Sequence, residues 1–240
     1  MDARGAAANG DGDEGHRRRR AELASRLAHE VRTPVATIKG LAATVLAHDE
    51  RLGADERREL VGLIGTEAAR LLELVEQVAL ALRIDADGLA IRARPTRLEP
   101  LLRDAVAGAG VVDHPVVLDA PSDLEAPVDP RWLSEALRQG ITNAARFSPA
   151  GQPIEVRARA AGGDALVEIV DRGPGIPRER REEVFERLTT WRPAGYEDRP
   201  GAGLGLFICR AIVAAHGGTA SVHEGAEGGT ILRLRLPMEG

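Results

Sequence analysis

The sequence of 240 residues has a single cysteine, and aromatic side chains make up only 2% of it. Cys209 alone excludes an intrachain disulfide and a four-cysteine zinc site, and fits a reducing cytoplasm. With so few rings, any core must be packed from Leu, Val, Ile and Ala, which suits helix bundles and α/β layers. No apolar run approaches the ~18 residues that a membrane-spanning helix requires. The N-terminus lacks the apolar central region of a signal peptide. Positive charge is not in excess either: a net charge of -5 gives no global attraction to nucleic acid. What remains is a 43% apolar content, enough for a real core in one large or two modest domains.

Residues 1–19 are rich in Gly, Ala and Asp and run into His16-Arg17-Arg18-Arg19-Arg20. That composition predicts a disordered, solvated tail; a second reading sets the four arginines against an anionic surface such as a membrane. Beyond it, Ala24, Leu27, Val31, Pro34, Ile38, Leu41 and Val45 alternate steps of three and four, a heptad seam. A polar break at 48–53 supplies a turn. The period resumes with Val61, Ile64, Ala68, Leu71, Val75, Val78 and Leu82, and further leucines broaden this second stripe. A hairpin of this kind has more apolar surface than two helices can hide, and a dimeric four-helix bundle over residues 20–88 solves the problem.

Asp85-Ala86-Asp87-Gly88 stops the second helix and begins a linker, the expected hinge. From residue 94 to 238 the pattern becomes alternating. Helices are predicted over 96–107, 130–147 and 204–216. Strands are predicted over 116–118, 154–158, 166–170, 220–223 and 230–236, with an irregular polar segment over 177–201. This is an α/β domain with a mixed sheet and helices packed on it.

Two regions carry chemistry. In the first, His29 falls at the heptad position farthest from the seam, so the pattern points it to solvent. Glu30 can accept a hydrogen bond from one ring nitrogen, leaving the other lone pair free to attack phosphorus. Thr33, four residues on, shares the histidine's face. Pro34 costs ~3 kcal/mol in a helix interior and frees the carbonyl of Glu30, so a kink beside His29 can open the backbone to a docking partner.

In the second region, Val170-Asp171-Arg172-Gly173-Pro174-Gly175 is a strand that ends in a carboxylate and then turns. A buried carboxylate can accept the exocyclic amine of adenine, where guanine carries a carbonyl. Gly173 and Gly175 allow close backbone approach to the base. Gly201-Ala202-Gly203-Leu204-Gly205-Leu206 opens a helix whose free N–H groups attract phosphate. No Lys-Ser/Thr pair follows, so this is not a Walker loop; no strand immediately precedes it, so it is not a dinucleotide fingerprint. Upstream, the amide oxygen of Asn143 can ligate Mg²⁺ bridging phosphates, and Arg146 can meet their charge. Each signal alone has an ordinary alternative, a plain turn or a solvated helix face.

In order and spacing the set resembles a bacterial two-component sensor histidine kinase, its dimerisation and phosphoacceptor domain followed by its ATP-binding catalytic domain, from roughly residue 20 onward. His29, Glu30 and Pro34 match the phosphoacceptor motif, and Arg70-Leu71-Leu72-Glu73-Leu74-Val75 is similar to the pattern recurring on the next helix. Asn143 matches the Asn box, and Asp171, Gly173 and Gly175 the first glycine box. Gly201, Gly203 and Gly205 match the second, with Leu206 beside them. Phe185 resembles the lid phenylalanine, and Ala215-His216-Gly217-Gly218 the end of the following helix.

The resemblance implies a Bergerat-type ATP-binding fold, ATP and Mg²⁺ as cofactors, a homodimer, and a response regulator receiver domain as partner. It implies His29 as phosphoacceptor, Glu30 in phosphoryl transfer, Thr33 in dephosphorylating the regulator, and Asn143 with Gln139 at the metal. Gln139 stands where the family commonly has a second Asn, and Leu188 where a second lid phenylalanine is frequent. Without sensory or membrane-spanning parts, the chain reads as a soluble kinase served by another protein, or as part of a longer one. Two other readings stay open: a GHKL-type ATPase that phosphorylates no histidine, and a non-catalytic dimeric scaffold.

Overall fold

The computed structural model describes residues 8–238 except 49, 50, 190, 198 and 200, with side chains from Leu27 onward apart from those of His29 and Asp87. It divides into two units, Met1–Glu76 with Pro200–Ala202, and Gln77–Arg199 with Gly203–Gly240.

Two long helices, α1 (Ala8–Ala47) and α2 (Ala54–Asp87), open the chain. The segment expected to be a tail is helical from Ala8. Lengthening an existing helix needs no new nucleus, and its Ala, Arg, Glu and Leu residues favour the state. Pro34 lies inside α1 without ending it and is buried. The less exposed positions of α1, among them Leu27, Val31, Ile38, Leu41 and Val45, follow the heptad seam. Glu30 of α1 meets Arg70 of α2 at 3.9 Å, and Glu67 lies 3.4 Å from the same guanidinium. On α2 the predicted seam divides. Ile64, Leu71 and Val78 are partly shielded, whereas Val61, Val75 and Leu82 are more than half exposed, as is Leu72. Surplus apolar surface therefore remains on a single chain. Among the described residues no helix is long and apolar enough to cross a membrane.

The second unit is a two-layer α/β sandwich. After β1 (Arg94–Arg97) come α3 (Leu98–Gly108), β2 (Val116–Asp119), β3 (Glu125–Val128), α4 (Pro130–Phe147), β4 (Ile154–Ala161) and β5 (Asp164–Val170). Two short 3-10 turns, at Arg178–Arg180 and Glu183–Phe185, precede α5 (Gly205–Ala215), β6 (Thr219–Glu224) and β7 (Thr230–Pro237). The main sheet runs β2-β4-β5-β7-β6, parallel between β2 and β4 and antiparallel elsewhere. β1 and β3, which the sequence pattern did not mark, pair separately with Pro95 opposite Pro127. Alternate strand residues such as Ile154, Ile169 and Leu234 are fully buried together with Leu137 and Ile141 of α4 and Ile212 of α5. Cys209 of α5 is buried in this layer, and burial pushes its thiol up to about 12. On the opposite face Asp119, Arg157, Glu168 and Arg233 share one row across β2, β4, β5 and β7. Arg233 donates to Glu168 there at 2.8 Å.

Helix α4 starts as its sequence dictates. Oδ1 of Asp129 accepts from the N–H groups of Arg131 and Trp132 at 3.1 and 3.3 Å, with Pro130 at the first helical position. Oδ2 of Asp129 accepts from the N–H of Arg92 at 3.0 Å, tying the connecting segment to the same cap. Burial works against this carboxylate, but the three N–H bonds hold it below the usual range. His216, just past α5, accepts the N–H of Asp129 on Nε2 at 3.0 Å, while its Nδ1 faces the carbonyl of Ile212 at 2.8 Å. The predicted hinge is thus fastened beyond residue 91. Before it, Asp85 pairs with Arg187.

Candidate functional site

Strand β5 delivers Asp171 one residue past its end, where the side chain is only 5% exposed. Two N–H groups converge on its Oδ1: Gly173 at 2.8 Å, closing a turn, and Thr230 at 3.0 Å, from the start of β7. Burial raises this carboxyl above the ordinary aspartate range; the bonds from Gly173 and Thr230 pull the other way and only partly offset it. Gly229 makes the approach possible. Its φ is +78°, and a Cβ there would lie 2.0 Å from the carbonyl oxygen of Asp171.

Asp171 lines a cavity walled on one side by α4, through Asn143 and Arg146, and on another by Gly203, Gly205 and Leu206 at the start of α5. Gly175 and Thr230 complete the base of it. Gly173 and Gly201, also expected here, are not among the lining residues; Gly173 instead supports Asp171 from behind. Residues the sequence did not single out complete the lining, among them a wall of Thr189, Trp191, Arg192 and Pro193. Trp191 is one of two tryptophans in the chain, and an apolar ring in a polar stretch is the signal that marks it. Phe185 does not line the cavity. It is buried at 1% exposure with the Arg210 guanidinium 4.9 Å from its ring centroid.

The cavity holds about 60 Å³, well below the ~300–1,000 Å³ typical of small-molecule sites. Thr189, Trp191, Arg192 and Pro193 take up part of the space that a nucleotide would need. The backbone leading into that wall is strained. Leu188 has φ +53°, a left-handed backbone on a non-glycine residue, and its N–H donates to the carbonyl of Gly203 at 3.0 Å. Gly203 is glycine of necessity, for at φ +69° a Cβ would meet the Thr189 carbonyl at 2.7 Å. Among the described residues, Oγ1 of Thr189 is a buried hydroxyl with no hydrogen-bond partner.

Gln139 departs from expectation. It is 1% exposed, does not line the cavity, and has its amide committed elsewhere: Oε1 accepts from Gln77 at 3.0 Å and Nε2 donates to Glu135 at 2.7 Å. One helical turn from Asn143, it points inward, toward the start of α5, where a Cβ on Gly205 would come within 2.9 Å of its Oε1. Asn143 alone of the expected metal pair reaches the cavity. No group of three or more His, Cys, Asp or Glu that could hold a metal occurs among the described residues.

The other expected site lies in the first unit. His29 belongs to α1, and its expected outward orientation lies outside the described residues. Glu30 is half-buried beside Arg70. Thr33 is exposed one turn on, and the Thr37 hydroxyl donates to its carbonyl at 3.1 Å.

Residues 19–87 match the family model of the His Kinase A (phospho-acceptor) domain, and residues 128–240 that of the Histidine kinase-, DNA gyrase B-, and HSP90-like ATPase. The probable sensor histidine kinase TcrY of Mycobacterium tuberculosis is 31% identical over 88% of this chain and 44% of its own length. The chain spans between about a quarter and about half of the length of the curated relatives it matches. Among solved structures, the mycobacterial sensor histidine kinase MprB aligns with a TM-score of 0.54 at 29% identity, over 61% of this chain and 97% of that one. Full-length ShkA in complex with AMPPNP aligns at 0.59 and 27% identity, over 90% of this chain and 45% of that one.

Proposed function

The chain belongs to the two-component sensor histidine kinases, and from that premise we propose that it is an ATP-dependent protein-histidine kinase whose phosphoacceptor is His29. The observation that carries the nucleotide half is the buried carboxylate of Asp171, held through Oδ1 by two N–H groups in the cavity wall. Its Oδ2 then takes the exocyclic amine of adenine. Arg146 and the N–H groups at the start of α5 meet the phosphates.

Neutral His29 is the nucleophile. One ring nitrogen forms a bond to the γ-phosphorus as the bond to the β–γ bridging oxygen breaks, and ADP leaves with that electron pair. The proton on the other ring nitrogen passes to Glu30, leaving a phosphoramidate whose ring is neutral and whose phosphoryl oxygens carry the negative charge. A receiver-domain aspartate of a response regulator then accepts the phosphoryl group, and Thr33 serves the later hydrolysis of that aspartyl phosphate to inorganic phosphate by holding a water. Mg²⁺, when bound, neutralises charge on the phosphates. The fit is to Asn143 and the phosphate oxygens with water, since few protein ligands suffice for this ion and no acidic cluster lies nearby among the described residues. The exposed apolar face of α2 fits a homodimer through residues 20–88.

Incubation with γ-labelled ATP tests the reading. The expected label stays on the protein, survives alkali, is lost in acid, and disappears in His29→Gln while nucleotide binding persists. Label released only as phosphate would make the chain an ATPase, and no turnover at all would make it a scaffold.

A further inference from the structure

A second concavity, of about 880 Å³, opens where the end of α2 and the connecting segment meet the start of α4. Four arginines wall it: Arg83 from α2, Arg92 and Arg94 from the connecting segment and β1, and Arg131 from the first turn of α4. Trp132 lies among them, with the guanidinium carbons of Arg83 and Arg131 each 5.4 Å from its ring centroid. No ion pair joins any of the four arginines to a described carboxylate. The carboxylate in the wall, Asp129, is already occupied by the N–H groups of Arg92, Arg131 and Trp132.

Among the described side chains, the concavity therefore gathers four cations and one committed anion, in a chain whose net charge is -5. The start of α4 adds the positive end of its dipole at the same place. Arg83 and Arg131, drawn to one ring, repel each other, and contact with its π face holds their guanidinium groups in position without neutralising them. A ligand bearing negative charge removes that repulsion. Guanidinium forks match phosphate oxygens two at a time, and the volume lies within the range of small-molecule sites, ~300–1,000 Å³. Trp132 is engaged by arginine, so the arginines and not a stacked base supply the recognition.

We propose that this concavity is a binding site for a small phosphate-bearing anion with two or more adjacent charged groups, of the pyrophosphate or triphosphate kind. It shares no residue with the cavity around Asp171, and it does not depend on the kinase reading. Because Arg83 sits on α2 and Arg131 on α4, one bound anion cross-braces the end of α2 and the start of α4.

The test uses the full chain carrying Trp191→Phe, in which Trp132 is the remaining tryptophan and reports on the concavity. Titration with inorganic tripolyphosphate should give a saturable change in its fluorescence. Adding Arg146→Gln, which removes the phosphate-facing cation of the other cavity, should leave that titration unchanged. Arg92→Gln with Arg131→Gln should weaken it about tenfold or more, as loss of charge-assisted bonds requires; Arg83→Gln alone should also weaken it. A response matched by sodium chloride at equal ionic strength, the absence of saturation, or undiminished affinity in the arginine variants with an unchanged melting profile would overturn the proposal.

Discussion

Nε2 of Gln77 donates to Oε1 of Gln139 across 3.0 Å, and both side chains are buried. The bond joins α2 to α4 and takes up the amide oxygen that a magnesium ion would otherwise use. Gln77→Leu should leave that oxygen buried without its donor, at a cost of about 1–3 kcal/mol, read by urea unfolding. Asn143→Ala should reduce the magnesium dependence of nucleotide binding, whereas Gln139→Leu should leave it in place. Equal loss in both would return Gln139 to the metal.

Burial raises the carboxyl of Asp171 against its hydrogen bonds. A raised acid favours the fold fully below its unfolded value, ~3.9, and loses that contribution as pH rises through the folded value. At neutral pH the ionised group is therefore a cost to the fold. Asp171→Asn should hold or raise stability at neutral pH while weakening adenine nucleotide binding by about ten- to a hundredfold. In the unaltered protein, affinity for a non-hydrolysable ATP analogue should fall on acidification before ordinary aspartates titrate. Calorimetry across pH checks both.

The hydroxyl of Thr189, which has no partner among the described residues and lies beside the left-handed Leu188, should gain one when nucleotide enters. Thr189→Val keeps the branched shape and deletes the hydroxyl. It should stabilise the nucleotide-free protein by about 1 kcal/mol or more and weaken the analogue, with Thr189→Ser restoring binding. Paired thermal melts with and without analogue separate the two effects. A purely structural threonine would move both melts together.

Val75, 53% exposed on α2, belongs to the apolar face left over on one chain. Val75→Glu should release monomers that keep their helix content, because the charge meets water in the monomer and an apolar neighbour in the bundle. Sedimentation measures this. An unaltered protein that is monomeric at micromolar concentration would remove the bundle.

Much of this was written locally. Asp129 and Pro130 announce the start of α4, and the strand patterns place β4, β5 and β7, which the structure extends by up to three residues. β1 and β3 were silent because each has only four residues and carries a proline. At the nucleotide cavity, Asp171 and its glycines are neighbours in sequence and could be read. Gly229 and Thr230 reach Asp171 across 59 residues through strand pairing, which no local pattern records. The inward placement of Gln139 could not be read, because it depends on Gln77, Glu135 and Gly205, which meet it through packing and not through its place one turn from Asn143.

Cys209 has a practical consequence. The thiolate is the reactive species, and a buried thiol pushed up to about 12 supplies almost none of it at neutral pH. A cysteine placed at an exposed position, on α1 or at Ala194, would then be the single site that a maleimide dye or spin label modifies. The native chain is in effect already a cysteine-free background for distance measurements, and labels can be placed without first removing its own sulfur.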